Sequence, residues 1–416
     1  MIQQVLYSLH QFFSTKIKFN FLVLFIVALL VFSCKPTQKV IKKPEKKTVE
    51  VDPKEMAFAV GADNFDGYAK LLKNKNVGVV TNQTGILSDG TNLIDFLISK
   101  EVDVKKIYAP EHGFRGVADA GELVDDGIDA KTGIPIISLY GNNKKPSDHQ
   151  LIGIDVMVFD IQDVGVRFYT YISTLSYIME ACAANNIPLV VLDRPNPNGG
   201  IVDGPVLEMQ FTSFVGMNPV PVLYGMTIGE YAKMLNGERW LKDEKKCELN
   251  IVACSNYNRN MFYSLPVKPS PNLPNDQSIN LYASLCLFEG TNVSVGRGTE
   301  KQFQIYGSPY LHKSDFSFTP KPNLGAKDPV YNNVECFGED LSAIPFVKSL
   351  ELKWLIKSYN ETEDKAKFFN NFFVKLAGTQ SLKTQIEIGM PEEVIKQTWQ
   401  EGLEDFKKMR EHYLIY

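Results

Sequence analysis

The stretch VKKIYAPEHGFRG, from Val104 to Gly116, decides how the rest of the chain is interpreted. Its first six residues are typical of a β-strand, and a proline ends the run. Glu111, His112 and Arg115 follow within five residues, and the two glycines of this segment, Gly113 and Gly116, let the backbone turn close to a ligand. An open α/β sheet usually places its binding and catalytic groups in such a loop. We therefore predict a functional loop here, with a surface turn held by a Glu–Arg pair as the alternative.

Similar strand-like runs lie on both sides of this stretch and alternate with helical patterns. The strand-like runs are 76–81, 104–109, 134–140, 155–161, 187–192 and 249–253, and the first helical patterns are 92–100 and 171–185. Nearly continuous apolar strands separated by helices predict a parallel sheet that is covered on both faces. We predict an α/β fold: a Rossmann-like parallel sheet domain at 58–260 and a second, smaller α+β C-terminal domain at 261–416.

The second half contributes further helices and one unusual loop. Helical patterns cover residues 226–236 and 279–288, and Thr227 and Glu230 form a capping box at the start of the first. Pro391 opens a final helix with an apolar stripe. The glycine-rich segment 289–300 has neither a helical nor a strand period, and a loop of this length is often functional. We expect it to fold over the crevice with Arg297 facing the substrate; the alternative is an ion pair with Glu300.

The first residues have the pattern of an export signal. Two lysines precede twelve apolar residues at 21–32, a run that is short for a transmembrane helix and typical of a signal peptide. The residues before Cys34 look like a bacterial lipobox, so we predict a lipoprotein signal peptide at 1–34 and a lysine-rich tether at 35–57. A signal anchor that stays in the membrane is the alternative. The expected location is the cell envelope, at the periplasmic face of the outer membrane, with the lipid anchor in the membrane.

Composition and motifs exclude several function classes. The 416 residues carry a net charge of −4, and no basic stripe with interleaved aromatic residues indicates a nucleic-acid partner. The glycine fingerprints of dinucleotide and nucleotide sites and the serine nucleophile elbow are absent, and the five histidines have no metal-binding spacing. We expect no cofactor and no metal. A disulfide between Cys247 and Cys254 is compatible with export.

Polar side chains follow the predicted strands at their carboxyl ends, which meet at one edge of a parallel sheet. They include Asn82, Gln83, Glu111, Tyr140, Asp160, Arg194 and Asn196, and Glu122 lies in the loop after the second strand. Glycoside hydrolysis usually needs two carboxyl groups, and this edge supplies several. The neighbouring segment 167–171 adds Arg167 and Tyr169, which suit an anionic sugar.

Four motifs in a fixed order carry a family resemblance. They are PEHGFRG at 110–116, the segment 160–171, DRPNPNGG at 193–200 and the segment 290–299, which is followed by Phe303. Together they resemble the NamZ-type exo-β-N-acetylmuramidase family over residues 60–416. The resemblance implies release of terminal β-1,4-linked N-acetylmuramic acid from the non-reducing end of peptidoglycan fragments. It also implies a Rossmann-like domain followed by a smaller C-terminal domain, with the active site in the cleft.

On this basis we assign roles to the candidate residues. Glu111 is expected to be the general acid, and Asp160 or Glu122 the partner carboxylate. His112 is expected to bind either the acid or a sugar hydroxyl. Arg115, Arg167 or Arg297 would bind the lactyl carboxylate that distinguishes muramic acid from glucosamine.

The remaining candidate ligands are Asn82, Gln83, Tyr140, Tyr169, Arg194 and Asn196. Two other functions stay open: a non-catalytic lipoprotein that binds muropeptides, and a metal-dependent esterase or amidase that uses His112. The oligomeric state does not follow from the sequence.

Overall fold

A seven-stranded sheet forms the centre of the structure, a computed structural model that describes residues 58–111, 113–114 and 126–416. The strand order is β3-β4-β2-β1-β5-β6-β9, and all neighbours are parallel except β3 and β4. The predicted signal peptide and tether, which include Cys34, lie outside the described residues, as do His112, Arg115 and Glu122.

The strands of this sheet follow the apolar runs of the sequence. They are β1 (Asn76–Thr81), β2 (Asp103–Ala109), β3 (Gly127–Ile128), β4 (Pro135–Ser138), β5 (Val156–Asp160), β6 (Leu189–Leu192) and β9 (Leu249–Val252). Between β6 and β9 lie β7 (Val202–Asp203) and β8 (Leu223–Tyr224), which form a separate antiparallel pair. The predicted parallel sheet is therefore confirmed. The short antiparallel β3 was not predicted, because two residues give no period.

Helices cover both faces of the sheet. In chain order they are α1 (Phe65–Leu72), α2 (Leu93–Ser99), α3 (Asp148–Leu151), α4 (Tyr171–Asn185) and α5 (Ile228–Gly237). The predicted capping box at the start of α5 is confirmed: the Thr227 side chain accepts from the Glu230 backbone N–H, and Glu230 accepts from that of Thr227. Helix α5 thus begins where its sequence predicts.

Alternating residues of each central strand enter two hydrophobic cores. In β5, Val156 and Val158 pack in the core that contains α1 and α2, whereas Met157 and Phe159 pack in the core that contains α4 and α5. Burying a side chain of this size contributes about 1.5–3 kcal/mol. Both cores therefore fix the register of the sheet and the positions of the loops at its carboxyl edge.

The C-terminal part combines helices with a small antiparallel sheet. Its elements are α6 (Asp276–Leu285), β10 (Ile305–Ser308), β11 (Ser317–Phe318), β12 (Cys336–Asp340), α7 (Lys353–Glu361), α8 (Phe373–Ala377), α9 (Ser381–Glu387), α10 (Glu392–Thr398) and α11 (Gln400–Glu411). The sheet order is β10-β12-β11. The smaller α+β part is thus as predicted, whereas the boundary at residue 260 stays a prediction, since the described residues from 58 onwards pack as one unit.

The final apolar stripe is core, but it does not form one helix. Trp399 separates α10 from α11, and its indole N–H donates to Asp203 Oδ1 at 3.2 Å. Pro391 occupies the N-cap position of α10 rather than its first helical position. The prediction of a single helix from Pro391 is therefore wrong, because the Trp399 side chain turns towards a buried carboxylate.

The five cysteines of the described residues are free and buried, so Cys247 and Cys254 do not form a disulfide. None of the helices in the described part of the chain has the length and apolar character needed to cross a membrane.

Candidate active site

Glu111 lies directly after β2 and the proline that ends it, and its side chain is half-buried. The Thr170 hydroxyl donates to Glu111 Oε2 at 3.0 Å. Thr170 is the N-cap residue of α4, so the acid faces the N-terminus of a fifteen-residue helix. This contact joins the loop after β2 to the helix that follows β5, and it fixes one of the two carboxyl oxygens.

Glu111 and Arg297 line the same narrow cleft. The other residues around it come from the segment before and into α4, from the loop before α6, from α6 and from the loop before β10: Phe168, Tyr169, Thr170, Tyr171, Ser270, Asn272, Leu273, Tyr282 and Phe303. The cavity measures ≈ 60 Å³, which is room for a few water molecules. A pyranose ring is larger, so we expect these side chains to move apart when a sugar enters.

Arg297 is held from two sides. Its Nε donates to Glu289 Oε1 at 2.7 Å, and its guanidinium lies 5.1 Å from the centre of the Phe303 ring. Burial alone would lower the pKa of Arg297, but the Glu289 carboxylate raises it, so the guanidinium stays charged. The two terminal nitrogens have no hydrogen-bond partner among the described residues and can bind a carboxylate. The alternative pairing with Glu300 is wrong, since Glu289 takes this place.

Phe303, which supports Arg297, has a strained backbone. Its φ angle is +52°, in the left-handed region that aromatic residues rarely adopt. Its ring meets Tyr282 edge-on, with centroids 4.9 Å apart. Such strain persists only where the surroundings hold it, and it is often found at functional sites.

Tyr169 and Tyr171 connect the cleft to the loop before α6. The Tyr169 hydroxyl donates to the Pro269 carbonyl at 2.8 Å, and the Tyr171 hydroxyl accepts from Asn82 Nδ2 at 2.8 Å. Burial raises the pKa of both phenols, so they remain neutral. The predicted ligand Asn82 is itself fully buried, and its contacts position Tyr171 rather than face the cleft.

Asp160, at the end of β5, and Arg194 form a buried ion pair. Arg194 Nε lies 2.5 Å from Asp160 Oδ1, and its Nη2 lies 2.8 Å from Oδ2. Burial raises the pKa of Asp160, and the charge of Arg194 opposes part of that rise. Because both carboxylate oxygens of Asp160 accept from Arg194, these contacts favour a structural role for the two residues. The predicted reactive role of Asp160 and the ligand role of Arg194 remain predictions that this geometry does not favour.

Arg167 is fully buried, and its guanidinium is surrounded by backbone carbonyls. Nη1 donates to Pro205 and Val220, and Nη2 donates to Leu376 and Ala377, each at 2.8 Å. The four carbonyls thus bind Nη1 and Nη2, the two guanidinium nitrogens that a substrate carboxylate would need. These contacts favour a structural role over the predicted binding of a lactyl group.

The remaining candidates lie at the same edge of the sheet. Asn196 is buried and donates to the Met226 carbonyl at 2.9 Å, which does not favour contact with a ligand. Gln83 donates to the carbonyls of Lys268 and Pro269 at 3.1 and 3.2 Å. Tyr140 follows β4 and is half-buried. Of the predicted residues, the structure thus brings Glu111, Tyr169 and Arg297 together in the cleft.

Two family profiles match consecutive parts of the chain. Residues 77–277 match the profile described as exo-beta-N-acetylmuramidase NamZ, N-terminal, and residues 280–416 match that of its C-terminal domain. The chain belongs to the NamZ family. The predicted resemblance is therefore confirmed over most of the chain.

Similar proteins include a Bacillus subtilis (strain 168) member of the NamZ family and two solved structures. The first, named peptidoglycan beta-N-acetylmuramidase NamZ, is 39% identical over 371 residues, which are 84% of this chain and 89% of that protein. Two crystal structures of DUF1343 family proteins from Bacteroides fragilis NCTC 9343 share 42% and 29% identity, with TM-scores of 0.81 and 0.73. They cover 86% and 87% of this chain, and 99% of each solved chain is matched.

Sequence reasoning missed several residues of this NamZ-family cleft. Glu289 was not named as the partner of Arg297, and Ser270, Asn272 and Tyr282 were not named as lining residues. The first three lie in or beside segments with visible signals, namely the glycine-rich loop and a proline-rich loop. Tyr282 lies within a regular helical pattern and gives no signal of its own.

The described residues of this NamZ-family chain contain no cluster of three or more His, Cys, Asp or Glu that could hold a metal ion.

Proposed function

We propose that this chain is an exo-β-N-acetylmuramidase, a glycoside hydrolase that releases terminal β-1,4-linked N-acetylmuramic acid from the non-reducing end of peptidoglycan fragments. One observation carries the proposal: Glu111 and Arg297 line one cleft in a chain that belongs to the NamZ family. The pair combines a proton donor with a cation that recognises the lactyl carboxylate. Of the two sugars of a peptidoglycan strand, only muramic acid carries such a carboxylate.

The contacts suggest how Glu111 acts. The Thr170 hydroxyl donates to Oε2, so the acidic proton of Glu111 is held on the other oxygen, Oε1. From there it passes to the glycosidic oxygen as the bond to the anomeric carbon breaks. Arg297 holds the lactyl group during this step, and water finally supplies the new hydroxyl on the anomeric carbon.

A second carboxylate must activate the water or attack the anomeric carbon. Of the two candidates, we favour Glu122, because both oxygens of Asp160 are held by Arg194. Glu122→Ala is expected to abolish release of muramic acid from an aryl muramide, and azide, which fits the space left by the carboxylate, should restore turnover if Glu122 is a nucleophile or base.

Two isomeric disaccharides test the proposed function. The enzyme should release free N-acetylmuramic acid from MurNAc-β-1,4-GlcNAc and leave GlcNAc-β-1,4-MurNAc intact, because only the first has muramic acid at its non-reducing end. Cleavage of both, or of the second alone, would contradict exo-muramidase specificity. Saturable binding without release would favour the muropeptide-binding lipoprotein, which the name of the Bacillus subtilis relative does not favour.

We further propose that Cys34 carries a lipid that anchors the protein in the cell envelope, at the periplasmic face of the outer membrane. The lipobox-like residues before Cys34 support this proposal. Metabolic labelling with an alkyne fatty acid should mark the wild type and not Cys34→Ala, and the variant should leave the membrane fraction. Equal labelling of both proteins would contradict it.

A further inference from the structure

A second cavity of ≈ 460 Å³ adjoins the cleft that contains Glu111 and Arg297. Its polar lining residues are Gln83, Lys268, Ser270, Glu300, Gln302 and Asn323. Ser270 lines both cavities. The loop before β10 also serves both, because it places Arg297 and Phe303 in the cleft and Glu300 and Gln302 in the second cavity. The two cavities are therefore neighbouring parts of one binding region.

Two residues that line this second cavity, Gln83 and Gln302, each carry a side-chain amide oxygen that is shielded from solvent and has no partner among the described residues. Gln302 is 7% exposed, and its Oε1 accepts no hydrogen bond. Gln83 donates through Nε2 to two carbonyls, which fixes the orientation of the amide and leaves its Oε1 without a donor. A buried acceptor without a donor costs free energy, so a ligand that supplies hydroxyl or amide N–H groups is favoured here.

The charges of the lining favour a neutral ligand. Lys268 and Glu300 are both exposed at the surface and have opposite signs, so the cavity carries no excess of cations. A peptide stem with several carboxylates would need such an excess. A neutral sugar with hydroxyl groups and an acetamido group needs hydrogen-bond acceptors and donors, and the lining supplies both through the amide of Gln302 and the ammonium group of Lys268.

We infer that this second cavity holds the sugar on the leaving-group side of the scissile bond, an N-acetylglucosamine unit, and that Gln302 and Lys268 are binding residues for it. The inference rests on the proposed function, since it assigns the cleft with Glu111 to the terminal muramic acid. The volume lies within the range of small-molecule sites. Specificity for a glycan over a simple muramide then comes from this cavity.

Two substrates separate the leaving-group site from the cleft. One is MurNAc-β-1,4-GlcNAc, and the other is p-nitrophenyl β-N-acetylmuramide, whose leaving group has no sugar hydroxyls. Gln302→Met keeps the side-chain length and removes the amide, and Lys268→Met changes an exposed residue that folding does not require. For each variant we expect the ratio of kcat/KM for the disaccharide to kcat/KM for the aryl muramide to fall about tenfold.

The matched control is Lys321→Met, which removes the same charge from an exposed lysine that does not line the second cavity. It should leave the ratio at the wild-type value. An unchanged ratio in both Gln302→Met and Lys268→Met would overturn the inference while leaving the enzyme assignment intact. If the wild type cleaves neither substrate, the proposed function itself fails, and the inference fails with it.

Discussion

Asp163 shows how strongly burial acts on single residues close to the cleft. The carboxyl is buried near Tyr171, and its Oδ2 accepts from the Tyr224 hydroxyl and from the Gly165 backbone N–H, the latter at 2.6 Å. Its Oδ1 has no partner among the described residues. Burial raises the pKa of Asp163 to about 6 from the ordinary 3.8, although these two hydrogen bonds oppose the rise.

The raised pKa of Asp163 predicts the direction in which the free energy of unfolding changes with pH. Because the folded protein holds the Asp163 proton more tightly than the unfolded chain, the contribution of this group to the free energy of unfolding falls as the pH rises from about 4 to about 6. Asp163→Asn removes the charge and keeps an acceptor, so it should be more stable than the wild type at pH 7, by at most about 3 kcal/mol. Urea unfolding at pH 4 to 7 measures this, and the difference should shrink towards pH 4.

The control for that series is Asp405→Asn, since the Asp405 side chain is 70% exposed. The free energy of unfolding of this variant should differ from that of the wild type by the same amount at every pH. A destabilised Asp163→Asn at pH 7 would contradict the account, because it would mean that the folded state needs the charge.

We propose that Arg297 carries the discrimination between muramic acid and glucosamine. A charge-assisted hydrogen bond is worth about 1.5–3 kcal/mol, so Arg297→Met should lower the preference for an aryl N-acetylmuramide over the matching N-acetylglucosaminide roughly 10- to 100-fold. The ratio of the two kcat/KM values is the measurement. Arg239→Met is the control, since that arginine is 61% exposed and paired with Glu244. An unchanged preference in Arg297→Met would remove Arg297 from sugar recognition.

At the scale of elements, the end of β2 and the start of α4 act together. Their link is the hydrogen bond from Thr170 to Glu111. Thr170→Val keeps the shape of the side chain and removes the donor, so kcat should fall about tenfold while KM and the thermal midpoint stay near wild type. Thr170→Ser keeps the hydroxyl and should retain most of kcat. Steady-state kinetics with the aryl muramide distinguish these results, and equal kcat in the valine variant and the wild type would show that Thr170 does not position the acid.

The elements that could be predicted are those with a strong local pattern. The parallel strands are buried on both faces, so they appear as apolar runs, and each predicted strand ends within two residues of the observed one. The antiparallel strands β10 to β12 were not predicted individually, because they are short and partly exposed. The break at Trp399 depends on Asp203, which lies 196 residues away, and a local pattern cannot reveal such a partner.

The same division applies to the candidate site. Three candidates could be found from a local signal in the sequence. Glu111 and Tyr169 are polar or aromatic residues that follow a predicted strand, and Arg297 is a charged residue within a glycine-rich loop. Asp160 and Arg167 looked like equally good candidates, yet the structure surrounds them with an arginine and with four carbonyls, respectively. Whether a polar residue faces a ligand or the protein interior depends on which distant segment packs against it. That information is absent from the local sequence.

For the whole molecule, the two parts of the chain complete one another. Arg167, from the segment before α4, donates to two carbonyls at the end of α8, and one hydrophobic core runs through both parts. The cleft is assembled in the same way, since Glu111 comes from the sheet and Arg297 from the loop before β10. The proposed catalytic acid, Glu111, and the residue that we assign to sugar recognition, Arg297, therefore belong to different family domains.

The most direct test of this account is the release of free N-acetylmuramic acid from MurNAc-β-1,4-GlcNAc by the wild type and by Glu111→Gln, a variant that keeps the shape of the side chain and removes its acidic proton. Circular dichroism and the thermal midpoint first establish that both proteins are folded. The account predicts release by the wild type and a loss of at least about 100-fold in the variant. Equal release by both proteins would contradict it, because the acid at the centre of the cleft would then have no part in the reaction.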